Sequence, residues 1–238
     1  METVAHADHS LSLTDVMRLV GLPKPTVYRI LNTLEESGLL MREIDGKRYM
    51  PGPRMTRLAG ETLLRSPQRS ARRAILEELV EQTGETCNLA LPNGANIMYV
   101  DRVESEWPLR VNLHAGSSVP LYASASGKMF LAHMPKRLRD RYVISAPLIK
   151  HTPKTLTDLA SLEAEFANIR LKGYAIDDEE YLLGICCLAV PIFNAEEQVV
   201  AAVAVHGPAT RVNFPDSLIH LDALRNAAEA LSNTLDWA

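Results

Sequence analysis

The chain is short of cysteine. Cys87, Cys186 and Cys187 are three in 238 residues, an odd count with two of them adjacent, and adjacent cysteines bridge only with strain, so no disulfide framework is expected. Long apolar runs are absent as well, and Met1-Glu-Thr-Val-Ala-His-Ala-Asp-His-Ser10 lacks the basic and then apolar stretch of a secretory leader. These absences point to the cytoplasm, with no membrane partner. Basic excess is missing too. A net charge of −4 and a pI near 6.0 argue against a nonspecific coat on nucleic acid. There is no Gly-x-Ser-x-Gly elbow, and Ser126-Gly-Lys128 lacks the upstream glycine of a phosphate loop. His114, His133, His151, His206 and His220 show no paired ligand spacing. No metal, cofactor or catalytic residue is therefore assigned, and an enzyme is not expected.

What is present is concentrated near the start. In Leu13–Leu34, apolar Leu13, Val16, Met17 and Val20 recur at helical spacing, and Gly21 stands where a left-handed cap ends a helix. A second helix opens at Pro25, whose missing N–H has no intrahelical partner to lose in a first turn. Val27, Ile30, Leu31 and Leu34 form its core stripe. The other face carries Thr26, Tyr28, Arg29, Asn32 and Thr33, with Lys24 just ahead. Two short helices joined by a glycine turn have the shape of a helix-turn-helix, or equally of a plain pair of core helices.

The next residues separate those readings. Leu39–Ile44 and Lys47–Met50 flank Asp45-Gly46, a strong hairpin signal, and Arg42, Lys47 and Arg48 place positive charge on that hairpin to meet phosphates. A basic wing directly behind a recognition helix makes a winged helix-turn-helix that binds a double-stranded DNA operator. Charge distribution agrees: residues 1–60 carry a net +1 and residues 61–238 a net −5.

Pro53–Leu64 reads as an amphipathic linker helix stopped at Ser66-Pro67, and a helix over Gln68–Thr83 closes at Gly84 with Ile75, Leu76, Leu79 and Val80 inward. Strand patterns follow at Thr86–Leu91 and Ile97–Val103 around the Pro92-Asn-Gly94 turn, with Leu109–Leu113 as a third. A helix from Ser124 to Pro135 and another over Thr157–Leu171, capped by Thr157, come next. Strands Cys187–Phe193 and Val199–His206 then precede a final helix over Pro215–Leu235. The expected fold is α+β, with a curved antiparallel sheet open on one face and roofed by loops, a natural small-molecule pocket. The division is 1–52 for the winged helix-turn-helix, 53–67 for the linker and 68–238 for an effector-binding domain.

An ordered series of motifs resembles the IclR family of bacterial transcriptional regulators. It runs from Gly21-Leu-Pro-Lys-Pro-Thr-Val-Tyr-Arg-Ile-Leu31 and Arg48-Tyr-Met-Pro-Gly-Pro-Arg54, through Thr83-Gly-Glu-Thr-Cys-Asn-Leu-Ala90, Tyr99-Val-Asp-Arg-Val-Glu-Ser105 and Ala123-Ser-Ala-Ser-Gly-Lys128. It ends with Gly173-Tyr-Ala-Ile-Asp-Asp-Glu-Glu180, Gly184-Ile-Cys-Cys-Leu-Ala189 and Gly207-Pro-Ala209. The resemblance covers about residue 12 onward. It implies a GAF/PAS-like effector domain, a homodimer or tetramer, and a ligand-responsive regulator of a metabolic operon, more often a repressor. Two departures stand out. The helix that the family places before Leu13 is short here or begins upstream, and Pro25 occupies a position where the family often has a small hydroxyl residue.

The same resemblance puts effector contacts at Ala125, Ser126, Asp177 and Cys187, with small organic or aromatic acids, most simply carboxylates, as ligands. The chemistry is reasonable. Ser126 and Gly127 open a helix whose N–H groups favour an anion, Asp177 can accept a ligand hydroxyl, and Cys187 packs as a soft wall. Asn88, Tyr99 and His114 lie on or beside the strands of the same cup and are weaker candidates, since strand Asn and Tyr also serve as structural hydrogen-bond partners. Two alternatives use the thiols: redox sensing through Cys186 and Cys187, or a thiol enzyme with His206 or His114 as base.

Overall fold

The computed structural model describes residues 1–7, 9–43, 46–64, 68–107, 113–145, 147–213 and 216–234. The chain divides into two compact units, Met1–Thr62 and Leu63–Ala238.

In the first unit the order is α1 (Glu2–Ala5), β1 (Leu11–Ser12), α2 (Leu13–Val20), α3 (Lys24–Glu36), β2 (Leu40–Arg42), β3 (Arg48–Pro51) and α4 (Pro53–Leu64). Ser12 and Asp15 form a reciprocal capping box at the start of α2, each side chain accepting from the other's backbone N–H. Gly21 ends α2 at φ 68°, its N–H donating to Met17 O, and α3 begins one residue ahead of Pro25. The strands form an antiparallel sheet in the order β1-β3-β2. Val16 of α2, Val27 and Leu31 of α3, Leu40 of β2 and Tyr49 of β3 share one small core, which also buries Val4 of the four-residue α1. Ile44 and Asp45 lie outside the described residues, so the Asp45-Gly46 turn is seen only from Gly46 onward.

The second unit runs α5 (Arg69–Thr83), β4 (Thr86–Asn93), β5 (Asn96–Val103), β6 (Ser118–Pro120), α6 (Ala125–His133), α7 (Lys136–Ser145), α8 (Leu159–Lys172), β7 (Ala175–Asp178), β8 (Ile185–Phe193), β9 (Val199–Pro208) and α9 (Leu221–Ser232), with a 3-10 turn at Asp216–His220. Six strands make one antiparallel sheet ordered β6-β5-β4-β9-β8-β7.

The two-residue strand period sorts the side chains by face. Leu89, Val203, Val205, Leu188 and Val190 pack under α5 and α9, which contribute Leu76, Leu79, Leu224 and Leu231. On the other face Ala90, Ala189, Ala202 and Ala204 are small enough to let α6 and α8 approach, with Met129, Phe166 and Ile169 filling the space. Gly127 of α6 is needed for that approach, because a Cβ there would lie 2.2 Å from the Leu121 carbonyl oxygen.

Several expectations change. The sheet is covered on both faces rather than open on one. Asp158, not Thr157, caps α8, accepting from Ser161 N at 2.8 Å. Most of the Leu109–Leu113 candidate lies outside the described residues, and the strand beside β5 is Ser118–Pro120. Strand β7 and helix α7 carry no clear apolar period and were not expected. The first part of the final segment is a 3-10 turn before α9 begins at Leu221.

Candidate DNA-reading surface and effector cup

On α3, Lys24, Tyr28, Arg29 and Thr33 are exposed, while Thr26 and Asn32 are half-buried; Thr33 turns its hydroxyl back to Arg29 O at 3.1 Å. The outward stripe is thus a cationic and hydroxyl-bearing surface suited to phosphate and base edges. The wing differs from expectation. Lys47 is exposed, but Arg42 folds inward: Nε donates to both oxygens of Glu35 at 2.9 and 3.0 Å, Nη1 to Gly46 O and Nη2 to Asn32 Oδ1. Arg48 is also turned aside, with Nη1 on Ser10 O at 2.9 Å, because β1 pairs along β3 there. Of the three wing cations Lys47 is exposed, and Arg42 and Arg48 are half-buried. Arg18 on α2, three-quarters exposed and beside Asp15, is a further outward cation that the sequence reading passed over.

The second site is built from strand register. Asp177 of β7 faces Cys187 of β8, which faces His206 of β9, so three side chains form one row across the inner face. The α6 N-terminus closes the other wall with Ala125 and Ser126, and Tyr99 and Tyr181 complete it. Ser124 caps α6, accepting from Gly127 N at 3.3 Å. The free space is about 20 Å³, room for about one water.

Five expected residues therefore meet at the cavity: Tyr99, Ala125, Ser126, Asp177 and Cys187. Two do not line it. His114 is exposed in the turn before β6, its backbone N–H on Ser117 Oγ. Asn88 is fully buried one layer behind, with Oδ1 accepting from Arg102 Nη1 at 2.8 Å and Nδ2 at 3.0 Å from His206 Nδ1.

His206 and Arg102 were missed as binding candidates. Arg102 Nη1 lies 2.9 Å from His206 Nε2, and burial together with that cation pushes His206 down to about 3, so it is neutral. A neutral imidazole has one lone pair, so it accepts from Arg102 or Asn88, not both. No local motif links positions 88, 102 and 206; the sheet alone brings them together.

Asp177 is the second perturbed group. Its Oδ1 accepts from Glu180 N at 2.7 Å, but burial and then the Glu180 carboxylate push its pKa up to about 7. Glu180 in turn pairs with buried Lys128, which also reaches Glu165 at 3.3 Å. The thiols are the reverse of reactive. Burial pushes Cys87 and Cys186 up to about 12 and Cys187 well above its usual range, so none is poised as a thiolate. Neither thiol alternative finds support in this geometry.

A winged helix-turn-helix joined to a sheet domain with a small, mainly apolar cup that holds a few polar groups is the architecture of a ligand-responsive DNA-binding transcriptional regulator. Residues 1–43 match the IclR helix-turn-helix domain and residues 61–233 the C-terminal domain of bacterial IclR regulators, and the chain belongs to the IclR family. It is 38% identical to the protein of Cupriavidus necator named "Probable transcriptional regulator SauR", over 98% of this chain and 93% of that one. It is 30% identical to the transcriptional repressor IclR of Escherichia coli, over 89% of this chain and 78% of that one. Among solved structures, an IclR homologue from Microbacterium hydrocarbonoxydans complexed with 4-hydroxybenzoate superposes with a TM-score of 0.63 at 26% identity, covering 100% of this chain and 96% of that one.

Proposed function

We propose that this protein is a cytoplasmic repressor that binds a pseudo-palindromic operator as a dimer or tetramer and responds to a small organic acid held in the cup. Two copies of α3 enter major grooves about one helical turn, or a multiple, apart. Lys24, Thr26, Tyr28, Arg29, Asn32, Thr33 and Lys47 face the DNA. The effector touches Tyr99, Ala125, Ser126, Asp177, Cys187 and His206, and α4 is the linker through which it acts.

One observation carries the ligand class: Asp177, Cys187 and His206 form one row facing the start of α6, with the buried Arg102 guanidinium behind His206 and the Asp177 carboxyl pushed up to about 7 by burial. The N–H groups at the start of α6 favour an anion, and protonated Asp177 can donate a hydrogen bond to its carboxylate. The known complex of the M. hydrocarbonoxydans homologue with 4-hydroxybenzoate is consistent with that class. With room for about one water, the cup must widen to admit an acid, and Tyr181 and Leu182 on the turn between β7 and β8 form its more exposed wall. A ligand then shifts DNA binding only by favouring one arrangement over another.

The test is a fluorescence-anisotropy titration with promoter DNA beside the protein's own gene, repeated with a panel of small carboxylates and hydroxybenzoates. Salt-sensitive specific binding, released by one acid class, is expected. Absence of any specific binding overturns the regulator mechanism. Ser126→Leu fills the cup and should abolish acid-induced thermal stabilisation; a normal melting shift would move the pocket elsewhere.

A further inference from the structure

We propose that Arg42 is a positioning residue: it braces the wing against α3 and engages the Asn32 carbonyl oxygen, so that this side chain reads base edges chiefly through its N–H donors. The inference rests on α3 being the DNA-reading helix, as proposed above.

The guanidinium is used on three sides. Nε faces the Glu35 carboxylate at 2.9 and 3.0 Å, Nη1 holds the wing through Gly46 O at 3.1 Å, and Nη2 donates to Asn32 Oδ1 at 3.3 Å; the plane sits 4.9 Å from the Tyr49 ring centre on β3. Asn32 and Glu35 are three apart on α3, so one cation clasps one side of that helix. Paired with Glu35, Arg42 offers no net positive charge to a phosphate. A phosphate contact would require breaking that pair and would bring Glu35 near the phosphate.

The consequence falls on Asn32. An amide reading adenine uses both ends, accepting from N6 and donating to N7. Here Oδ1 accepts from Arg42 Nη2, which takes one of its two lone pairs and directs it at the wing, and Nδ2 keeps its N–H groups for a base. A donor suits guanine O6 and N7 or thymine O4; at adenine it reaches N7 only, without the N6–H bond to Oδ1 that completes the bidentate pair, and at cytosine it meets the competing N4 donor. Wild-type protein should therefore prefer guanine or thymine over adenine and cytosine at the base facing Asn32.

The experiment is selection of random duplex DNA by the full-length protein, sequencing of the bound pool, and salt titration on the selected site. The position that loses its preference in Asn32→Ala defines the base that Asn32 reads. The expected result is at least about fivefold discrimination against adenine there by wild type, at the lower end of a bidentate base contact. Arg42→Met and Arg42→Lys should both admit adenine, because neither supplies the fork, while the slope of log affinity against log salt stays within about half a unit of wild type.

Glu35→Gln releases the clasp from the other partner and should relax the preference in the same way if Arg42→Met fails to fold. The proposal is overturned if wild type selects adenine at that position, or if Asn32→Ala alters no position. It is also overturned if Arg42→Met lowers the salt slope by about one with an unchanged sequence preference and Arg42→Lys restores it, the behaviour of a phosphate contact. Failure of wild type to enrich any sequence would instead overturn the DNA-reading role of α3.

Discussion

The two units place their working polar groups in opposite environments. On α3, Lys24, Tyr28 and Arg29 stand in solvent, whereas Ser126, Asp177 and His206 of the effector unit are each no more than 6% exposed. A DNA-reading surface exchanges water and counterions for phosphates, so its charges must remain hydrated until the partner arrives. A small-molecule cup works the other way. Low dielectric strengthens each interaction and moves pKa values by several units, and packing holds the groups in place beforehand.

That contrast can be broken at its strongest point first. Lys128→Met leaves Glu180 buried without its cation and should cost about 3–5 kcal/mol, read as a drop in the effector unit's melting temperature. An unchanged melting curve would mean the buried charges do not hold that unit together.

Arg29→Ala should weaken operator binding by about 1–3 kcal/mol for a base contact, or reduce the salt slope by about one for a phosphate contact, with the melting of the effector unit untouched. Unaltered affinity and slope would remove Arg29 from the reading surface.

The pH dependence sharpens the comparison from the buried side. His206 has a folded pKa of about 3 against 6.5 unfolded, so its contribution is present above pH 6.5 and is lost as pH falls toward 3. Asp177 is opposite: with a folded value of about 7 against 3.8, it adds stability at low pH that is lost as pH rises through that window. Each contributes up to about 1.4 kcal/mol per pH unit, with opposite signs, between about pH 4 and 6.5. Chemical denaturation across that range should show His206→Gln gaining stability on acidification relative to wild type and Asp177→Asn losing it. Parallel profiles would show that neither group titrates as its burial implies.

The smallest effect belongs to the exposed unit. Ser12→Ala removes half of the α2 capping box and should cost about 1 kcal/mol by thermal denaturation, weakening DNA binding only through a less stable reading head.

The reading head was the more legible half. Gly21, Pro25 and the Val27–Leu31–Leu34 stripe are local signals, and α2, α3 and the hairpin strands lie within a residue or two of where those signals put them. The direction of the wing arginines was not legible, because whether Arg42 points to solvent or to Glu35 depends on how β2 lies against α3. In the larger unit, β7 is four residues with two carboxylates and so lacks alternation, yet register with β8 makes its Asp177 part of the cup. Motif resemblance supplied Asp177 and Cys187. Arg102 and His206 had no comparable signal, since they are 104 positions apart and meet only after β4, β5 and β9 pair.

The chain's own pattern of glycines, prolines and apolar spacing determined that a winged helix-turn-helix precedes an α+β domain, because capping, turn geometry and helical period act over a few residues. Tertiary structure alone decided which polar side chains are buried and which are exposed. Burial and long-range register are properties of packed elements, and they turn Arg42 into a brace, His206 into a neutral wall and Asp177 into a carboxyl that titrates near neutrality.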